Sequence, residues 1–173
     1  MQAKILDIKG IYCMSLNIEK LLDETGWQLL TELQKNARLT HTELGQRVGL
    51  TSPAVADRIR RMEDAGIIAG YHAKVDLEKV GLPVLAIVRL SSIPGVSCAY
   101  AASQVGQISE VLECNRTTGD DSMVVKVAAT STDHLTRVLD QLSRYGTPET
   151  SLVRSNPMIR STITPDMLDR DVN

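Results

Sequence analysis

The stretch Thr40–Gly66, THTELGQRVGLTSPAVADRIRRMEDAG, decides how the first part of this chain folds. Thr40 and Glu43 stand in the T-x-x-E order of a capping box, in which each side chain satisfies a backbone N–H that a helix start leaves open. Leu39 and Leu44 flank that start at the spacing of a hydrophobic staple. Leu44 and Val48 share one helix face, and Gly49 stands where a C-terminal glycine ends a helix. Thr51 is placed to cap a second helix, with Ser52 and Pro53 in its first turn, where a missing N–H costs little. Val55, Ile59 and Met62 form its apolar stripe and Gly66 closes it. Two short helices joined by a three-residue turn read as a helix-turn-helix, a motif whose second helix lies in the DNA major groove.

Upstream, the spacing predicts a helix over Glu24–Asn36 capped by Asp23, with Leu29, Leu30 and Leu33 on one face and Trp27 extending it. Downstream, Ile67–Val75 reads as a strand containing Tyr71, which makes a winged-helix-like unit. At about 100° per residue, Pro53, Asp57, Arg60, Arg61 and Asp64 fall opposite the apolar stripe, with Ala54 and Arg58 at its flanks. Between Arg38 and Arg61 five arginines oppose two acids, a local cationic face in a chain of formal net charge -2. Phosphate binding needs such a local field rather than a high overall charge.

The expected DNA-contacting set is therefore Arg38, Thr40, Thr42, Thr51, Ser52, Pro53, Ala54, Asp57, Arg58, Arg60 and Arg61. Small residues at the helix start let the backbone approach the groove floor, and Arg61 suits a guanine or a phosphate. Asp57 suits cytosine N4, and Arg38, Thr40 and Thr42 suit phosphates. The competing reading is a solvated helix face whose arginines pair with Asp57, Glu63 or Asp64.

Composition is that of a soluble globular protein, 43% apolar and 23% charged over 173 residues. Cys13, Cys98 and Cys114 are odd in number and lack zinc-ligand spacing, so reduced thiols and a cytoplasmic setting are expected, with no metal and no cofactor. No apolar run has membrane-spanning length, and no secretory signal is expected in residues 1–20, read as an extension.

The second half follows a different pattern. Residues 77–81 form a connector, and strands are expected at Leu82–Leu90, Ile108–Thr117, Ser122–Thr130 and Thr150–Ile159. Helices are expected at Val96–Val105 and Thr132–Tyr145, the latter capped by Ser131, stopped by Gly146 and striped by Leu135, Val138, Leu139 and Leu142. The order β-α-β-β-α-β is that of a ferredoxin-like fold, so the class is α+β: a helix-turn-helix unit over 21–76, a sheet unit over 82–160 and a tail over 161–173 without an argued role. The first strand is apolar on both faces, Val84, Ala86 and Val88 against Leu85 and Ile87, and so is the third. A sheet apolar on both sides calls for a partner, for which a second copy of the chain suffices. Gly119, Asp120 and Asp121 read as a hairpin turn or as a ligand loop.

The segments LDETGWQLLTELQKNARLT (22–40), ELGQRVGLTSPAVADRIRRMEDAGIIAGYHAKVD (43–76), TTGDDSMVVKV (117–127) and GTPETSLV (146–153) resemble the Lrp/AsnC family, the feast/famine regulators, over Leu21–Met158. The resemblance implies a homodimer or dimer-built octamer on double-stranded operator DNA, modulated by a small effector, typically an amino acid. Carried over by motif, the effector region is Gly119, Asp120, Asp121 and Ser122, with Thr150. Three positions depart from the family pattern: Gly26 replaces an Asp, Ser122 stands at an Asp of the leucine-responsive type, and Leu152 at a common Thr. Leucine specificity therefore does not carry over.

Two rivals remain. Some similar proteins are tetrapyrrole decarboxylases that use histidines, but His41, His72 and His134 are scattered here and read as surface or capping residues, so no enzyme is expected. An architectural DNA-coating protein without effector would use the same two domains.

Overall fold

The computed structural model describes residues 18–155 and 162–168, and these divide into a helical unit and a sheet unit that meet in sequence at Ala73–Lys74. Cys13, most of the N-terminal extension, residues 156–159 of the expected last strand and the end of the tail lie outside the described residues.

A helical turn at 18–21 leads to α1 (Glu24–Lys35), α2 (His41–Val48) and α3 (Ser52–Asp64). Asp23 caps α1 by accepting the Gly26 N–H at 2.8 Å. At α2 the capping box is complete: Thr40 N–H donates to Glu43 Oε2 at 2.7 Å, and Glu43 N–H donates to Thr40 Oγ1 at 3.2 Å. Gly49 ends α2 at φ 73°, a left-handed conformation that glycine adopts without steric cost. Thr51 occupies the N-cap of α3, but its side chain makes no capping hydrogen bond. Leu29, Leu33, Leu44, Val55 and Ile59 form one core, and Leu21, Leu30 and Met62 a second beside it.

In the helical unit two glycines are required by close approach rather than by turn geometry. A Cβ at Gly26 would lie 1.9 Å from the Leu21 carbonyl oxygen, and one at Gly45 would lie 2.3 Å from that of Leu50. Gly26, whose departure from the family pattern removes a polar capping partner, thus lets the chain before α1 fold back onto it.

The strand expected at Ile67–Val75 does not form: residues 69–76 carry no ladder. The Ile67 and Ile68 N–H groups both turn back to the Met62 carbonyl, at 2.9 and 3.2 Å, and among the described residues no neighbouring strand meets the remainder. Apolar alternation alone does not make a strand where there is no ladder partner.

The sheet unit contains β1 (Val84–Ser91), α4 (Cys98–Val105), β2 (Val111–Arg116), β3 (Asp121–Ala129), α5 (Thr132–Leu142) and β4 (Thr147–Leu152). Its antiparallel strands lie in the order β2-β3-β1-β4, the ferredoxin-like arrangement. Ala86, Val88 and Leu90 on β1 and Met123, Val125 and Val127 on β3 pack with Ala101 and Val105 of α4 and Leu135, Val138 and Leu142 of α5. On the opposite face Leu85, Ile87, Arg89, Val124 and Lys126 are half-buried. β4 begins at Thr147, three residues before the expected start, because Thr147 pairs with Ser91 and Pro148 with Leu90. Its polar sequence hid it, and a proline is tolerated on an edge strand because its missing N–H can face outward. Cys98 and Cys114 are free thiols, the latter with its pKa raised by burial. Among the described residues no helix is long and apolar enough to cross a membrane.

Gly45→Ala is expected to destabilise the helical unit despite alanine's better helix propensity, because the added methyl meets backbone that cannot rotate away. The loss should be about 1–3 kcal/mol, against a propensity gain of at most about 1 kcal/mol. Urea unfolding followed by Trp27 emission measures it, and a variant as stable as the parent would refute the close-approach argument.

Candidate DNA interface and effector region

The outward face of α3 presents the residues expected there. Pro53, Ala54, Asp57, Arg60 and Arg61 are exposed, and Ser52 is half-buried. Arg60 donates to Asp57 Oδ1 at 2.8 Å, while Arg61 lies 3.9 Å from Asp57 Oδ2. The arginine side chains keep 68% and 51% of their exposure, so these pairs are surface contacts that solvent screens and that a phosphate or base can replace. The Asp57 carboxylate raises the Arg60 pKa further above its ordinary value. The arginines of this face are paired with Asp57 and remain exposed.

The start of α3 adds donors. The first intrahelical bond is Val55 N–H to the Thr51 carbonyl, so the N–H groups of Ser52 and Ala54 have no helical partner. The Thr51 hydroxyl makes no cap bond, and the residue is exposed. A helix N-terminus with free N–H groups and a hydroxyl suits an anion. Arg38 and Thr42 are exposed before and within α2. Thr40 is exposed too, but its hydroxyl is engaged with Glu43 Oε2 at 2.7 Å and offers less to a phosphate than expected.

Arg58 departs from the expected set. Its side chain is only 21% exposed, and its guanidinium pairs with the Asp23 carboxylate and donates to the Lys20 carbonyl at 3.4 Å. The bond from Arg58 to the Asp23 carboxylate is the largest cause lowering the Asp23 pKa below its usual value. Arg58 therefore fastens the recognition helix to the cap of α1 and does not reach outward. Arg47, on α2, is likewise paired across to Glu32 of α1. Tyr71 donates to Glu63 at 2.9 Å, and burial with that bond pushes its phenol up to about 12.

In the sheet unit the hairpin between β2 and β3 gathers four of the five expected effector residues. Gly119, at φ 110°, and Asp120 are exposed at its tip, and Thr117 Oγ1 closes it by donating to the Asp121 carbonyl at 2.7 Å. The ladder slips between Leu90 and Ser91: Met123 faces Leu90, Asp121 faces Ser91, and Ser122 is the extra residue. Its hydroxyl donates to the Leu90 carbonyl at 2.9 Å, so at Ser122 a small polar side chain serves the bulge. Thr150 is not brought to this cluster within one chain, since it pairs with Val88 on the far side of β1.

Three residues beside the hairpin were not anticipated from the sequence. Ser91 Oγ donates to Asp121 Oδ1 at 3.3 Å, and Arg89 Nε lies 3.6 Å from Asp121 Oδ2 while its Nη2 pairs with Glu149. The available signal was Arg89 itself, the one charge in the apolar run VLAIVRLS. His134, read as a surface or capping residue, bonds Glu110 at 2.9 Å through Nε2, and its backbone N–H donates to the Ser131 cap.

Comparison with known proteins agrees with both halves. Residues 22–69 match a family model described as winged helix-turn-helix DNA-binding, and residues 85–163 match the Lrp/AsnC ligand binding domain. An uncharacterised HTH-type transcriptional regulator, YezC of Bacillus subtilis, is 38% identical over 135 residues, 78% of this chain and 95% of its own. A transcriptional regulator from Neisseria meningitidis, solved as its L-methionine complex, superposes with a TM-score of 0.78 at 30% identity, covering 85% of this chain and 99% of that one. A feast or famine regulatory protein from M. tuberculosis, complexed with L-methionine, gives 0.78 at 28% identity over 83% and 99%. With a helix-turn-helix whose arginines face outward and a βαββαβ unit behind it in sequence, this chain belongs to the Lrp/AsnC family of DNA-binding transcriptional regulators.

Proposed function

We propose that the chain regulates transcription in the cytoplasm by laying α3 in the major groove of a near-palindromic operator, as a dimer or a dimer-built octamer, with an amino acid as effector. The observation that carries this reading is the outward guanidinium pair of Arg60 and Arg61 beside a helix start whose N–H groups and Thr51 hydroxyl have no helical partner. Two such helices held by a two-fold assembly would read half-sites whole helical turns apart, roughly 34–36 Å centre to centre.

Arg61→Ala should weaken specific DNA binding by about 1–3 kcal/mol with unchanged unfolding. Arg58→Ala should do the reverse, lowering stability through the lost tie to Asp23 while the folded fraction still binds. Fluorescence anisotropy on duplex DNA at several salt concentrations, beside urea melts, separates the two. Loss of affinity in Arg58→Ala without loss of stability would return Arg58 to the interface.

Self-association is proposed to use the sheet face that carries Leu85, Ile87 and Val124, whose apolar side chains lie outside the cluster packed against α4 and α5. Ile87→Glu would place an unpaired charge in that face. The parent should scatter light as a dimer or a multiple of one at micromolar concentration, and the variant as a smaller species. A monomeric parent would refute the assignment.

For the effector, methionine is the first candidate, because the two solved neighbours named above bind it. The proposed region is the hairpin, Gly119, Asp120, Asp121 and Ser122, with Thr150 supplied from the edge strand. A thermal-shift screen over the twenty amino acids should raise the melting temperature with methionine or a relative, since a ligand of the folded state stabilises it by mass action. No shift with any amino acid would favour an architectural protein without effector.

A further inference from the structure

Residues 162–168 return to the helical unit after the chain has passed through the sheet unit. Ile163 is held there by one side chain. Gln34 Nε2 donates to the Ile163 carbonyl at 3.0 Å, and Gln34 Oε1 accepts the Ile163 N–H at 2.7 Å. A single amide thus meets both backbone polar groups of one residue, as a neighbouring strand would. Thr164 then leads into a single 3-10 turn, Pro165–Met167, closed by Met167 N–H to the Thr164 carbonyl at 3.1 Å. Pro165 and Leu168 border a concavity with Trp27 and Thr31 of α1, and Ile163 borders an apolar one with Leu30 and Tyr71.

The side chains of this segment are seated shallowly. Ile163, Met167 and Leu168 remain 59%, 45% and 48% exposed. Recognition therefore runs through the backbone, and little apolar burial offsets the entropy of ordering seven residues. Such a contact is reversible by construction.

We propose that the outer side of α1 is a docking surface for the chain's own residues 162–168, with Gln34 as the residue that reads them. Docked, this strap gives the helical unit a second connection to the sheet unit besides Ala73–Lys74; released, it leaves one. Docking state then sets how freely two recognition helices can span their half-sites. This consequence rests on the DNA-binding reading proposed above, whereas the docking itself does not.

The test uses the full chain, Gln34→Ala, and a chain ending at Ser161. Alanine keeps α1 helical, so α1 melting should change little. Hydrogen exchange at the Ile163 amide should be about tenfold slower in the parent than in a free peptide of residues 160–170, and should approach the peptide rate in Gln34→Ala. Trp27, the single tryptophan, should shift its emission alike in Gln34→Ala and the truncated chain. Exchange at the peptide rate in the parent, or protection surviving in Gln34→Ala, would overturn the docking. Protection that rises with protein concentration would place the strap on a second copy and overturn the intrachain assignment. On duplexes enriched by the parent from a random pool, strap release should change affinity by about threefold or more for two half-sites and leave a single half-site unaffected. Equal affinities would overturn the regulatory consequence alone, and failure of the parent to enrich any duplex would instead overturn the DNA-binding reading.

Discussion

The Asp23 carboxylate is the joint of the helical unit. It accepts the Gly26 N–H that begins α1 and receives the guanidinium of Arg58 from α3. A helix start and the recognition helix are therefore fixed to each other by one side chain, and the chain ahead of α1 folds close enough that Gly26 has no room for a Cβ. Helix packing sets a crossing angle only within a tolerance of tens of degrees. A charge-assisted bond at a defined point along α3 narrows its rotation about its own axis. With Arg58 tied to Asp23, Arg60 two residues further along falls on the far side of α3, and Arg61 stays exposed on its flank.

The sheet unit rests on a different constraint, the shared register of β1 with β3 and β4. Its central pair carries small and β-branched residues beneath two helices, while the edges carry the polar residues. The slip at Leu90/Ser91 is where that order is deliberately broken. It brings Asp121 opposite Ser91, leaves Ser122 as the extra residue, and lets Arg89 bridge from Asp121 to Glu149 across three strands. Bulges recur where a sheet must aim side chains instead of merely packing them. The hairpin between β2 and β3 is tied to β1 by the side chains of Arg89, Ser91 and Ser122.

Local chemistry explains what was legible in the sequence. The capping box, the Gly49 stop and the stripe of Val55, Ile59 and Met62 each act within one or two turns, so residue spacing reveals them. The helical wheel gave Arg58 an angle but not a reach, and its partner Asp23 lies 35 residues away. The apolar run at 67–75 resembled a strand because periodicity reports which side could be buried, not whether a ladder exists. TPETS hid the start of β4 because edge strands need little apolar content, and the bulge at Ser122 leaves no trace in composition. Gln34 was invisible for a deeper reason: it recognises backbone, which every residue has, at a separation of 129 positions.

Charge distribution connects the two units to one function. The chain is slightly acidic as a whole, and among the arginines of 38–61, Arg47 and Arg58 are paired to other helices. What remains exposed on α3 is Arg60 and Arg61, with Arg38 before α2. Few phosphates can be neutralised per copy, and each contributes only a modest, salt-dependent increment. One helical unit is therefore a weak reader. Affinity sufficient for a regulator has to come from linking copies, where the second contact forms at the high effective concentration that the first provides. Linking is useful only if the copies are held at the spacing of their half-sites. A sheet face whose apolar residues lie outside the cluster under α4 and α5, and a recognition helix with few exposed cations, are the two features on which the proposed pairing of copies rests.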